Sequence, residues 1–178
     1  KHFIDENPEY PVPFGESARS VTYSWDRKTR GFPAGRAHFP VVLVSWVDAM
    51  NYCRWLKQVT GRSFRLPTEA EWEYCARGRD GRIYPWGNDW APFHTNTMER
   101  GARAIVAVGC YPDGVSPTGA FDCAGQVWEW TSTAWGKQWQ KPEFVYPYNT
   151  DGREVLSADL WRIVRGGSWD DVAAFARC

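Results

Sequence analysis

FRLPTEAEWEY, residues 64–74, contains a complete start signal for an α-helix. The Thr68 hydroxyl can accept a hydrogen bond from the backbone N–H of Glu71, and the Glu71 carboxylate can accept the N–H of Thr68 in return. Pro67 keeps the helix from extending toward the N-terminus, because proline disfavours helical angles in the residue before it. The stretch therefore predicts a helix that begins after Thr68 and runs to about Arg77.

This helix has one apolar face, formed by Trp72, Cys75 and Ala76. Residues three and four apart lie on the same side of a helix, so these side chains are expected to be buried together. Glu69 and Glu73 then face solvent or pair with the arginines at positions 65 and 77. We interpret both carboxylates as structural rather than catalytic.

A second helix is predicted after a short apolar run. Residues 39–44, FPVVLV, favour a short strand because they are rich in β-branched side chains. Ser45 is a suitable N-cap with Asp48 at the third helical position, and Gly61 provides the C-terminal stop. Four residues at three- or four-residue steps form its predicted buried face: Trp46, Met50, Cys53 and Leu56.

The rest of the chain is rich in turns, with 16 Gly and 12 Pro over its length. The segments 84–88, 111–114 and 116–119 have the composition of tight turns, and residues 1–40 predict an ordered loop. Strands are predicted at 105–108, 127–131 and 161–164. We expect an α+β fold with two helices on a small twisted antiparallel sheet, wrapped in loops.

Length and charge exclude several classes of function. The 178 residues fit one domain, predicted to span residues 1–178, and Lys1 in place of an initiator Met indicates a piece cut from a longer protein at both ends. The 21 basic and 21 acidic residues cancel and form no block. Neither nucleic acid nor a membrane is therefore an expected partner. No segment reaches the roughly 20 apolar residues of a membrane span.

The five cysteines lack the paired short spacings of a zinc site, and their odd number and low density do not fit a disulfide scaffold. We expect mostly reduced thiols, which favours a cytoplasmic location. The cysteines are Cys53, Cys75, Cys110, Cys123 and Cys178.

Two further strings follow residues 64–74 in order, GQVWEW at 125–130 and RGGSW at 165–169. With these strings the sequence resembles the formylglycine-generating enzyme family, also called sulfatase-modifying factors, from about residue 39 to residue 178. The resemblance implies a C-type-lectin-like fold. It also leaves open a Cys75–Cys178 disulfide, because a position like that of Cys178 joins a disulfide in secreted members.

The resemblance implies two calcium sites, which suit a loop-rich chain because calcium binds several carbonyl and carboxylate oxygens. In the second site Glu129 is the only charged ligand, and the alternative is that Glu129 only accepts backbone hydrogen bonds. Gln126 replaces the Asn that is usual in the family. The first site corresponds to Asn96, Thr97, Glu99 and Gly101, and the second to Gly125, Val127 and Glu129.

The family enzyme oxidises a sulfatase cysteine with oxygen and with copper held by two of its own cysteines. Counting forward from Trp169 puts Asp171 and Ala176 at those two positions, and no Cys occurs between Cys123 and Cys178. Thiolates are the soft ligands that Cu(I) prefers, so we expect no copper site. The three histidines are scattered without the spacing of a metal or catalytic site.

We therefore expect a non-catalytic module that binds a protein or another macromolecule. The residues after RGGSW are chemically unrelated neighbours, as in the variable proteins of diversity-generating retroelements, which this sequence resembles within the family. Two alternatives remain, a formylglycine-generating oxidoreductase and a structural or regulatory module, and some of these side chains could pack under the sheet instead. The predicted ligand-binding residues are Trp169, Asp170, Asp171, Val172, Ala173 and Phe175.

Overall fold

A computed structural model describes residues 1–178 as two compact units, Lys1–Arg65 and Leu66–Cys178. None of its helices is long and apolar enough to cross a membrane. The assignment of residues 1–178 to a single domain stays a prediction.

The first unit contains the longest helix, α2, at Trp46–Thr60, after a short α1 at His2–Glu6 and a single 3₁₀ turn at Val21–Tyr23. The capping box predicted for α2 is present, since Ser45 Oγ accepts the N–H of Asp48 and the Asp48 carboxylate accepts the N–H of Ser45 at 2.7 Å. Gly61 ends the helix with a left-handed φ of 69°. Both predicted ends of α2 are confirmed.

The predicted buried face of α2 is largely confirmed, because Trp46 and Met50 are buried while Cys53 and Leu56 are half-buried. The apolar run at 39–44 forms no strand, and Leu43 within it has a φ of 61°, which interrupts an extended conformation. Helix α1 departs from the loop predicted for residues 1–40.

The second unit is built around α3, at Glu69–Arg77, whose capping box between Thr68 and Glu71 is also confirmed. Trp72 and Ala76 are buried against Cys123, and Cys178 packs on the same cluster. Glu73 pairs with Arg77 at 2.7 Å and with Arg165 at 3.5 Å. Glu69 also lies near Arg165, at 3.9 Å, rather than near the arginines adjacent in sequence.

Helix α3 packs on a two-stranded antiparallel sheet formed by β1, Glu129–Gly136, and β2, Trp161–Arg165. Glu129 pairs with Arg165 at one end and Gly136 with Trp161 at the other, and the register shifts on both sides of Ala134. The prediction for β2 is confirmed, whereas β1 lies further along the chain than the predicted segment 127–131.

The predicted strand at 105–108 is wrong, although its apolar sequence is typical of one. The Gln126 side chain bonds both main-chain groups of Val106, accepting its N–H at 3.1 Å and donating to its carbonyl at 2.9 Å. A side-chain amide thus takes the place of a neighbouring strand. The α+β class is confirmed, with three helices and two strands.

Candidate binding site and cation loops

Gln126 is the buried centre of the region that holds most of the predicted site residues, with 1% of its surface exposed. Its φ of 63° follows a left-handed Gly125, so the chain turns sharply before β1. Its backbone N–H donates to the Asn96 carbonyl at 2.7 Å, and its side-chain oxygen accepts the Asn96 amide at 2.9 Å. Gln126 therefore joins Asn96 to the start of β1 through both main chain and side chain.

Asn96, the first residue of the predicted calcium loop, is completely buried. Its side-chain nitrogen donates to the Ala104 carbonyl and to Gln126, both at 2.9 Å. Its side-chain oxygen Oδ1 is buried without a hydrogen-bond partner. Leaving a buried acceptor unsatisfied costs about 1–3 kcal/mol, so this oxygen fits the first ligand of a cation.

The remaining residues of the 96–101 loop wrap around a single 3₁₀ turn at Met98–Arg100, which Gly101 ends with a φ of 76°. Thr97 is fully buried, and Glu99 is exposed but accepts the backbone N–H of Ala173 at 2.7 Å. Burial would raise the pKa of Glu99, but the Ala173 hydrogen bond and others outweigh it, and the pKa lies below its usual value. The carboxylate is therefore ionised at neutral pH, as a calcium ligand must be.

The 169–175 segment lies directly against the 96–101 loop. Its main chain is bonded at Trp169, whose N–H donates to the Gln126 carbonyl, and at Asp171, whose carbonyl accepts the Met98 N–H at 3.0 Å. The Asp171 side chain accepts the Ser168 hydroxyl at 2.5 Å. The structure thus brings together two groups of residues that the sequence identified separately.

Two side chains of the 169–175 segment extend into solvent. Phe175 is 56% exposed and Val172 42% exposed, whereas the adjacent Ala176 is fully buried. The Phe175 ring meets that of Trp128, itself 41% exposed, with ring centres 6.3 Å apart. Trp169, Asp170, Asp171 and Ala173 are half-buried. Val172 and Phe175 therefore do not pack under the sheet, which was the alternative reading of these positions.

The predicted second cation site lies where β1 begins. Gly125 is buried and Val127 half-buried, and the Glu129 carboxylate accepts the Trp72 indole N–H at 2.7 Å. Burial raises the pKa of the Glu129 carboxyl to about 7, and the Trp72 hydrogen bond only partly opposes the shift. This environment favours the neutral carboxyl, and a cation bound beside it would stabilise the charged form and lower the pKa of Glu129.

Asp171 and Ala176, the two positions predicted to correspond to copper ligands, offer no soft donor atom for Cu(I). Asp171 uses its carboxylate to accept the Ser168 hydroxyl, and Ala176 is a buried methyl group. The five cysteines are free thiols, so the Cys75–Cys178 bridge is not formed. Burial raises the pKa of Cys178 to about 12 and also raises that of Cys123, which keeps both thiols protonated at neutral pH.

The three histidines have different surroundings. His2 and His38 are exposed, and His94 lies edge-on to Trp86 with ring centres 5.3 Å apart. The sequence reasoning missed the roles of Gln126, Met98 and Trp128. The one available signal in the sequence was Gln126 itself, which stands where Asn is usual in the family. A Gln side chain is one methylene longer than Asn, so its amide can reach a more distant main-chain segment.

The sequence matches the sulfatase-modifying factor enzyme 1-like domain over residues 9–178, and the chain belongs to this family. The inactive C-alpha-formylglycine-generating enzyme 2 of Bos taurus is 36% identical over 149 residues, which cover 78% of this chain and 41% of that protein. The formylglycine-generating enzyme of Streptomyces coelicolor is 35% identical over 173 residues, covering 89% of this chain and 51% of that protein. The chain spans about half the length of these relatives.

A protein described as a variable protein has a similar fold. Treponema denticola variable protein 1 superposes with a TM-score of 0.60 at 21% identity, and the match covers 81% of this chain and 66% of that one. At this identity the likeness concerns the fold alone.

Proposed function

We propose that the chain is a non-catalytic module that binds a protein or another macromolecule on a C-type-lectin-like scaffold. The binding surface consists of the 169–175 segment and the adjoining ring of Trp128. One observation carries the proposal: the apolar side chains of Val172 and Phe175 remain exposed on a segment whose main chain is held by hydrogen bonds, and the exposed ring of Trp128 adjoins Phe175. Aromatic residues of this kind commonly dominate binding energy when a partner buries them.

The comparisons support this proposal from two directions. One relative in the family carries the name of an inactive enzyme, and a structure of the same fold is a variable protein. We extend the second point to the residues: Asp170, Val172 and Phe175 are the positions at which a variable protein built on this segment would differ in sequence. A retroelement that diversifies them is part of the proposal.

Replacement of Phe175 by Asp tests the binding surface. The protein is immobilised, and capture of macromolecules from a lysate of its source is quantified for the wild type, Phe175→Asp and Val172→Asp. Val155→Asp is the matched control, because Val155 is equally exposed, at 57%, but lies outside the segment. We expect the two variants in the segment to lose at least tenfold of a specific capture, since burying an unpaired charge costs several kcal/mol. Loss in the control alone, or in none of the three, contradicts the proposal.

Calcium is the proposed structural ion, bound by the 96–101 loop and by Gly125, Val127 and Glu129. The buried Oδ1 of Asn96, which has no hydrogen-bond partner, supports the first of these sites. An ion that binds only the folded protein raises its melting temperature, and at 100 times its Kd it adds about 2.7 kcal/mol of stability. We expect millimolar calcium to raise the melting temperature and a chelator to reverse the shift. Equal melting with calcium and with chelator contradicts both sites.

The second candidate function is a copper- and oxygen-dependent oxidation of a sulfatase cysteine. Its support is the 35% identity to a formylglycine-generating enzyme. Asp171 and Ala176 offer no thiol, so this activity needs ligands other than those of the family. Oxygen uptake in the presence of copper and a cysteine-containing sulfatase peptide distinguishes the two functions, and turnover by this chain favours the enzyme.

A further inference from the structure

The 169–175 segment is fixed through its main chain at every second residue. The Trp169 N–H donates to the Gln126 carbonyl at 3.1 Å, the Asp171 carbonyl accepts the Met98 N–H at 3.0 Å, and the Ala173 N–H donates to Glu99 Oε1 at 2.7 Å. Met98 and Glu99 belong to the 96–101 loop. Gln126 is bonded to Asn96 of the same loop through both main chain and side chain. All three bonds therefore depend on the position of one short loop.

We infer that a calcium ion in the 96–101 loop controls the order of the 169–175 segment, so that cation binding switches the ligand surface between a mobile and a fixed form. The inference rests on the proposed function, because ordering the 169–175 segment affects binding only if that segment is the binding surface. The coupling itself is a property of this chain's hydrogen bonds.

The physical basis lies in Asn96 and Glu99. The buried Oδ1 of Asn96 lacks a partner, and the exposed, charged Glu99, three residues further along the loop, accepts a hydrogen bond from Ala173. A carboxylate has two oxygens, so one can accept the Ala173 N–H while the other serves a cation. A cation that satisfies Asn96 and Glu99 together restricts the loop. The loop then holds its own two hydrogen bonds to the segment, through Met98 and Glu99, and fixes the position of Gln126, which makes the third.

Coupling of this kind is reciprocal. A cation that binds only when the loop is closed lowers the population of the open form by a factor of 1 + [Ca²⁺]/Kd, which is about 100-fold at 100 times the Kd. A ligand that binds only the ordered segment must in turn tighten calcium binding by the same factor by which calcium tightens ligand binding.

Amide hydrogen exchange of the intact chain, with calcium or with EGTA as the only additive, tests the coupling without any ligand. We expect calcium to slow exchange at the N–H groups of Met98, Trp169 and Ala173 by between about 10-fold and 100-fold. The N–H of Gly61, which bonds the Lys57 carbonyl in the Lys1–Arg65 unit, is the internal reference and should keep its rate.

Glu99→Gln separates the charge from the hydrogen bond, because the new side chain keeps an oxygen for the Ala173 N–H but is a much weaker calcium ligand. We expect wild-type exchange rates in EGTA and a calcium effect reduced to about twofold or less. Asp159→Asn is the matched control, since Asp159 is an exposed carboxylate outside both segments, and it should respond to calcium like the wild type.

Three outcomes overturn the inference: a calcium-induced rise in melting temperature with unchanged exchange at the three amides, no response to calcium at all, or full slowing in Glu99→Gln. The first leaves the proposed function intact. If instead the amides slow as expected while Phe175→Asp does not affect capture, the coupling stands and the proposed function fails.

Discussion

Glu129 should make the protein less stable as the pH rises from about 4.5 to 7 in the absence of calcium. The carboxylate lies against Trp72, and burial raises its pKa from 4.5 to about 7. An acid with a raised pKa binds its proton more tightly in the folded protein, so its contribution to stability is complete below pH 4.5 and is lost as the pH passes 7. At about 1.4 kcal/mol for each unit, the loss in unfolding free energy is roughly 3 kcal/mol.

Replacement of Glu129 by Gln isolates this effect. Gln keeps an oxygen for the Trp72 indole N–H, but it carries no charge at any pH, so the variant should have a nearly flat stability over the same range. The measurement is urea denaturation between pH 4.5 and 8 in EGTA, with the unfolding free energy obtained at each pH. Glu9→Gln, an exposed carboxylate in the first unit, is the matched control and should follow the wild type.

Calcium provides the second half of the experiment. A cation beside Glu129 stabilises the ionised form, so millimolar calcium at pH 8 should restore stability to the wild type but restore less to Glu129→Gln. The reasoning is refuted if wild-type stability stays level or rises between pH 4.5 and 7. It is equally refuted if Glu129→Gln retains the wild-type slope.

Two further pairs of substitutions, each a test variant with its control, examine the local structure. Gly125→Ala should lower the unfolding free energy by about 3 kcal/mol, because the new Cβ would lie 2.3 Å from the Asn96 carbonyl oxygen at a φ of 66°. Gly61→Ala is the control, since Gly61 has a similar φ of 69° but no atom within 4 Å of the new Cβ. It should lower the unfolding free energy by only about 1 kcal/mol. Equal losses in thermal or urea unfolding would contradict the close approach of Gly125 to Asn96. Ser45→Ala should lower stability by about 1 kcal/mol through loss of the α2 cap, and Gln58→Ala within the same helix should change it by only a few tenths. Equal stability of Ser45→Ala and the wild type would mean that the cap contributes nothing.

The two long helices could be predicted because their signals are local. Ser45 and Thr68 each make a capping box with a residue three positions later, and glycines follow both helices. The strand expected at 105–108 failed for the opposite reason. Its partner is the side chain of Gln126, 20 residues away, and no property of residues 105–108 shows that an amide will replace a strand there.

The same limit applies to the candidate site. Asn96, Glu99 and the residues after Trp169 could each be singled out from short strings. Their contact, through Glu99 and Ala173, joins positions 74 residues apart and uses a backbone N–H that every residue except proline supplies. Main-chain contacts leave no trace in side-chain chemistry, so the sequence could not show that the cation loop and the binding segment touch.

Because the 169–175 segment is attached through its main chain, its backbone conformation depends little on which side chains it carries. The bonds at Trp169, Asp171 and Ala173 use backbone groups on the segment's side, so they do not depend on which side chains stand at Val172 or Phe175. Ala176, directly after the segment, is fully buried, so a larger side chain there would not fit without moving its neighbours. Substitutions at the outward positions therefore leave the bonds that hold the segment in place, and its backbone should tolerate different side chains at Val172 and Phe175.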